Sequence, residues 1–111
     1  MDDAATGPQA TPSGLALASQ LERLLQLPLD SPSDVDPWFD ACAEVQAWLE
    51  AHVDELPFVL PPDLIFYFHD PDIRAKEPEY KEWQEQAIRH LIKQLRGEEL
   101  PGIKLPWWRF W

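Results

Sequence analysis

The sequence predicts an all-α domain: a small helical bundle of three main helices plus a short helical segment, with an irregular aromatic C-terminal tail packed on it. Three observations lead there. Apolar residues recur at three- and four-residue steps in three separate stretches. Those stretches are bounded by helix punctuation, with Pro37 and Pro78 placed to open helices and Pro28 and Gly97 placed to end them. The one strand-like run, LIFYF at 64–68, has no convincing partner strand, and an isolated strand leaves its backbone unpaired.

Taken in order, residues 1–12 hold Gly, Pro, Thr and Ala without apolar periodicity and are expected to be a disordered N-terminal segment preceding a single domain over 13–111. Ser13 is a candidate cap for a helix over about 14–27. Leu17, Ala18, Leu21, Leu24 and Leu25 make its apolar face, and Pro28 stops it. LDSPSDVD at 29–36 reads as a loop. Asp36-Pro37 then offers an N-cap followed by proline at the first helical position, opening a helix over about 37–56. Trp38, Cys42, Val45, Leu49, His52, Val53 and Leu56 share one face of it. Asp40, Glu44, Glu50, Asp54 and Glu55 take the opposite face, and the helix has no Lys or Arg. Trp48 projects about a quarter-turn from the stripe centre, as a boundary residue or an exposed anchor.

Pro57, Pro61 and Pro62 break the chain, and Pro62 opens a short helix over 62–69. Asp70-Pro71 repeats the cap-then-proline signal and starts another turn around Ile73. Residues 78–96, PEYKEWQEQAIRHLIKQLR, form the longest uninterrupted helical pattern. Tyr80, Trp83, Ala87, Ile88, Leu91, Ile92 and Leu95 wrap about half its circumference, wide enough to meet at least two neighbours. Glu82, Glu85, Arg89, Lys93 and Arg96 are assigned to the opposite, solvated side, with Glu85–Arg89 in the favourable i,i+4 order. Gly97 suits the position just past the helix, and the tail 97–111 follows.

A chain of 111 residues supports one domain and one core. Its 45% hydrophobic content and six Trp argue against global disorder despite a net charge of −11. That charge is unevenly spread: residues 1–72 carry fourteen Asp or Glu against the single Arg23, while 73–111 carry eight Lys or Arg against six Glu. The acidic part would repel phosphates, so direct nucleic-acid binding is not expected, and a basic protein partner is. The polar, acidic N-terminus lacks the charge and apolar run of a signal peptide, and the single Cys42 forms no intramolecular disulfide, so a cytoplasmic location is the expectation.

No catalytic constellation emerges, and no cofactor is expected. There is no nucleophile elbow, Gly-rich phosphate loop or H-E-x-x-H. Cys42 lies on an apolar stripe, where a thiol is inert. His69, Asp70 and Asp72 in HDPD are the only metal candidates, and their spacing matches no ligand motif. The tail ends in KLPWWRFW. Trp107, Trp108, Arg109 and Trp111 are residue types enriched at interaction hot spots and membrane interfaces. Locally, PWWRF resembles the Trp/Arg-rich stretches of membrane-active peptides over a few residues. Folded back, Trp107, Trp108 and Phe110 would complete the core while Lys104 and Arg109 meet the acidic half.

The expected function is a small acidic protein–protein interaction module, accessory or inhibitory, without catalysis. Its candidate partner-binding residues are Asp40, Glu44, Trp48, Glu50, Asp54, Trp107, Trp108, Arg109 and Trp111. The alternatives are a DNA mimic that occupies a nucleic-acid-binding protein, and a peripheral membrane protein using the Trp-rich tail.

Overall fold

A computed structural model describes residues 10–98, and these form five α-helices with no strand among them. The helices are α1 (Pro12–Gln26), α2 (Val35–His52), α3 (Pro62–His69), α4 (Pro71–Lys76) and α5 (Pro78–Leu95), with short 3-10 turns at Pro32–Asp34 and Val53–Glu55. The all-α class follows as expected. The tail's expected packing concerns residues that, beyond Glu98, lie outside those described.

Helix α1 starts earlier than its sequence suggested. Thr11, not Ser13, is the cap: its Oγ1 accepts from the Gly14 N–H at 3.0 Å. Pro12 then falls in the first turn, where its missing N–H costs nothing. Ser13 donates instead to Glu55 Oε1 at 3.1 Å, tying α1 to the turn after α2. Gly14 is needed for space, since a Cβ there would lie 3.2 Å from the Leu95 carbonyl and 3.3 Å from the Pro57 ring.

Helix α2 begins at Val35, so Asp36 sits inside its first turn rather than capping it. The carboxylate at work is Asp34, whose Oδ2 accepts from the backbone N–H groups of Asp30 (2.9 Å) and Ser31 (3.2 Å). After His52 the chain tightens into the 3-10 turn, which changes the period and leaves Val53 outside the buried stripe.

Asp70 holds the N-cap position of α4, but its side chain makes no capping bond, contrary to the local signal. It turns instead toward α5. The further turn expected around Ile73 is the short helix α4, which follows α3 directly.

Helix α5 runs as read, and its end is closed by a Schellman turn. Glu98 N–H reaches Lys93 O at 2.8 Å, Gly97 N–H reaches Gln94 O at 3.1 Å, and Gly97 takes a φ of 78°. Its buried face is rotated relative to expectation: Gln84 and Glu85 are buried, while Trp83 is about half exposed. Glu85 is therefore not on a solvated side. It lies between Lys81 (3.7 Å) and Arg89 (3.5 Å), which neutralise it at the edge of the core.

The core gathers Leu17, Leu21 and Leu24 of α1, Trp38, Cys42 and Val45 of α2, Leu64, Tyr67 and Phe68 of α3, and Ile88, Leu91 and Leu95 of α5. Each such leucine or isoleucine removed from water contributes about 2 kcal/mol. Helix α5 meets α1, α3 and α4, as the breadth of its apolar face requires.

Candidate functional site

The most elaborate polar arrangement is internal. Arg74, on α4, is only 1% exposed. Its guanidinium carbon lies 4.2 Å from the Tyr67 ring centre and 4.6 Å from that of Trp38, and those two rings meet edge to face. Such cation–π contacts, out of water, contribute about 2 kcal/mol. Nη1 donates to the Tyr67 carbonyl at 2.7 Å and to Gln84 Oε1. Gln84 Nε2 donates to Asp70 Oδ2 (3.3 Å) and the Tyr80 hydroxyl (3.1 Å), and Tyr80 donates to the same Asp70 oxygen at 2.6 Å.

Nε and Nη2 of Arg74 are closed off from solvent and meet no acceptor. Burial pulls its pKa below the usual value, opposed by nearby Tyr67, Glu85 and Asp70, and the group remains a cation. The Tyr80 phenol is raised, chiefly because its proton is held by Asp70. Burial raises the Tyr67 phenol as well. This network joins α2, α3, α4 and α5 through one side chain. The sequence reading missed it; its only signal is Arg74 three residues after Pro71, on one helical face, and both are buried.

The HDPD cluster does not converge. Asp70 points inward to Tyr80 and Gln84, while His69 and Asp72 are exposed. Among the described residues, no three His, Cys, Asp or Glu side chains come together to hold a metal. Cys42 is buried, and that burial pushes its thiol up to about 12, so no thiolate is present at neutral pH. A shallow recess of about 260 Å³ opens where Arg74, Lys81, Asp30 and Glu82 meet. Its two cations are matched by two carboxylates, and Lys81 already lies 3.9 Å from Asp30, so it selects no charge.

Two surfaces remain. The first is the outer face of α2. Asp36, Asp40, Glu44 and Glu50 are exposed along it, with Asp54 exposed in the turn that follows. Ala43, Ala47 and Ala51, also exposed, lie between them on the same arc. None of these five carboxylates has an ion-pair or hydrogen-bond partner among the described residues. Some acids elsewhere serve the fold: Glu22 holds Arg96 at 2.6 Å, which lowers the Glu22 pKa and raises that of Arg96. Trp48 does not join this face. It is half-buried and stacked on His52 at 4.3 Å, with His52 Nδ1 2.7 Å from the Trp48 carbonyl. Trp107, Trp108, Arg109 and Trp111 lie outside the described residues.

The second surface is apolar and was not anticipated. Helix α3 buries Leu64, Tyr67 and Phe68, and the same turns place Pro62, Ile65, Phe66 and His69 outward within about 100° of arc. Ile65 and Phe66 are 60% and 59% exposed, and Val59 just upstream is 93% exposed. The sequence signal for this was the run LIFYF itself: five consecutive apolar residues on a helix cannot all face one core. Among the described residues no helix is long and apolar enough to cross a membrane. Comparison of the chain with protein-family models, curated proteins and solved structures finds no match.

Proposed function

We propose that this chain is an accessory binding module, without chemistry of its own, that presents the acidic outer face of α2 to a basic segment of another protein in the cytoplasm. One observation carries the reading. The five carboxylates Asp36, Asp40, Glu44, Glu50 and Asp54 share one sign along one helix and its following turn, and the described fold leaves all of them unpaired. Like charges along a helix repel one another, so the fold gains nothing from this pattern. A cationic partner would gain from it, through faster encounter and selection of register. The tail belongs to the same reading, packed on the bundle with its aromatic side chains inward.

The test is capture of a basic partner by the full chain at low and at physiological salt. The variant D40N/E44Q/E50Q/D54N should lose the partner at both, and wild-type capture should weaken as salt rises. Capture unaffected by the four substitutions removes this surface from consideration. If duplex DNA competes with the captured partner, the module acts as a mimic of nucleic acid, and a DNA-binding protein is the class to search.

A further inference from the structure

We infer that the apolar face of α3 is the docking site of the chain's own C-terminal segment, residues 99–111. This rests on the reading above that the tail packs on the bundle, and it adds the place. Three observations converge. Ile65 and Phe66 stand side by side on the outward face of α3, each more than half exposed, with Val59 beside the helix start almost wholly in water. A one-sided apolar helix face of this kind marks an interaction surface.

The chain also leaves α5 near the start of the connection that leads to this face. The Leu95 carbonyl and the Pro57 ring meet over Gly14, both within 3.3 Å of where its Cβ would stand. The end of α5 and the start of the connection that leads into α3 therefore both lie against Gly14. From Pro57 to Ile65 the chain spans at most about 25 Å, five extended steps and one helical turn. Trp107 follows Glu98 by nine residues, about 30 Å of extended chain. Residues 99–107 are therefore long enough to span from the end of α5 to α3. The Schellman turn at Gly97 takes the chain out of the α5 axis before it sets out.

Charge supplies the third observation. Asp63 lies within α3, Asp54 and Glu55 precede it in the chain, and no Lys or Arg lies between Arg23 and Arg74. An apolar face within so acidic a stretch of chain is disfavoured on an anionic lipid surface. It suits KLPWWRFW, which brings three Trp, a Phe, Lys104 and Arg109 and no acidic side chain. The aromatic rings would cover Ile65, Phe66 and Val59, the two cations would meet Glu55 and Asp63, and the acidic face of α2 would stay open.

The experiment uses the full chain labelled with fluorotryptophan, its fluorine resonances assigned by single Trp-to-Phe variants. Paramagnetic broadening by a soluble agent then reports the exposure of each indole. In the wild type the Trp107 and Trp108 signals should be protected at every protein concentration. In I65S/F66S they should shift and lose protection, while the Trp38 signal keeps its position and shows that the core is intact. Tail signals broadened already in the wild type overturn the reading that the tail packs at all. Signals protected in the wild type and unmoved in I65S/F66S leave that reading standing and overturn the α3 site alone. Protection that disappears on dilution makes the occupant a second copy and overturns docking within one chain.

Discussion

Helices α2 and α5 are each eighteen residues long, each packs against other helices of the bundle, and each carries several charged residues. They use that charge in opposite ways. On α5, Lys81, Glu85 and Arg89 form a run of alternating sign at i,i+4 spacing, and Arg96 just beyond its end reaches Glu22 of α1. On α2 there is no Lys or Arg, and its acids engage nothing in the described fold. The difference separates charge that the fold consumes from charge that it leaves for something else. A residue's type does not make that distinction; its neighbours in space do.

The comparison breaks first at the core. Ile88→Ala on α5 should lower unfolding free energy by about 2–5 kcal/mol in urea titration, because Ile88 is fully buried between helices. Gln84→Ala should cost about 1–3 kcal/mol, since it removes the side-chain acceptor that a buried cation has among the described residues. The same titration, checked against far-UV circular dichroism, measures it. If Gln84→Ala proves neutral, the Arg74 network is packing alone.

Alkaline pH tests the buried side of α2. The Cys42 thiol titrates from an ordinary value of 9.0 up to about 12 in the fold. Below pH 9 it is neutral in both states. Above that the unfolded thiol ionises while the folded one does not, so stability should fall progressively between pH 9 and 12. Tyr67, also raised by burial, acts in the same direction. Denaturation midpoints across that range, with Cys42→Ala as the reference, separate the two.

The ion pair between Glu22 and Arg96 is exposed and should contribute little. Its folded-state carboxyl is lowered, so its contribution is present above the ordinary carboxylate range and lost as pH falls through the lowered value. Glu22→Gln should therefore erase a small acid-side slope, and added salt should do the same to the wild type. The smallest effect on stability should come from α2. D40N/E44Q/E50Q/D54N should shift unfolding free energy by less than about 0.5 kcal/mol, in either direction. A large loss of stability there would mean that the fold depends on these acids, and their availability to a partner would be refuted.

Much of the architecture was legible because helix periodicity and proline punctuation are local. Leu17, Leu21 and Leu24, then Trp38, Cys42 and Val45, then Ile88, Leu91 and Leu95, are buried where their spacing put them. The caps were less legible. Thr11 and Ser13 are equally good acceptors by type, and the choice between them depends on Glu55 lying beside Ser13 across the bundle. Asp70 looks like a cap in its own neighbourhood and becomes a hydrogen-bond acceptor for α5 once Tyr80 and Gln84 arrive. Arg74 carries no local sign of burial, since its two ring partners come from α2 and α3. The one-signed face of α2 was readable from spacing; the outward face of α3 was not, because LIFYF gives no indication of which of its residues the core will take.

The order of the helices, their approximate ends, the acid bias of the first seventy-two residues and the apolar stripe of each long helix follow from the sequence alone. They depend on contacts within a few residues, where backbone geometry fixes which side chains are neighbours. Which polar groups enter the interior, which acids find a cation and which apolar residues stay in water were decided only by the tertiary structure. Those outcomes are set by pairs far apart in the chain, such as Glu22 with Arg96 and Arg74 with Trp38, whose meeting no local pattern encodes.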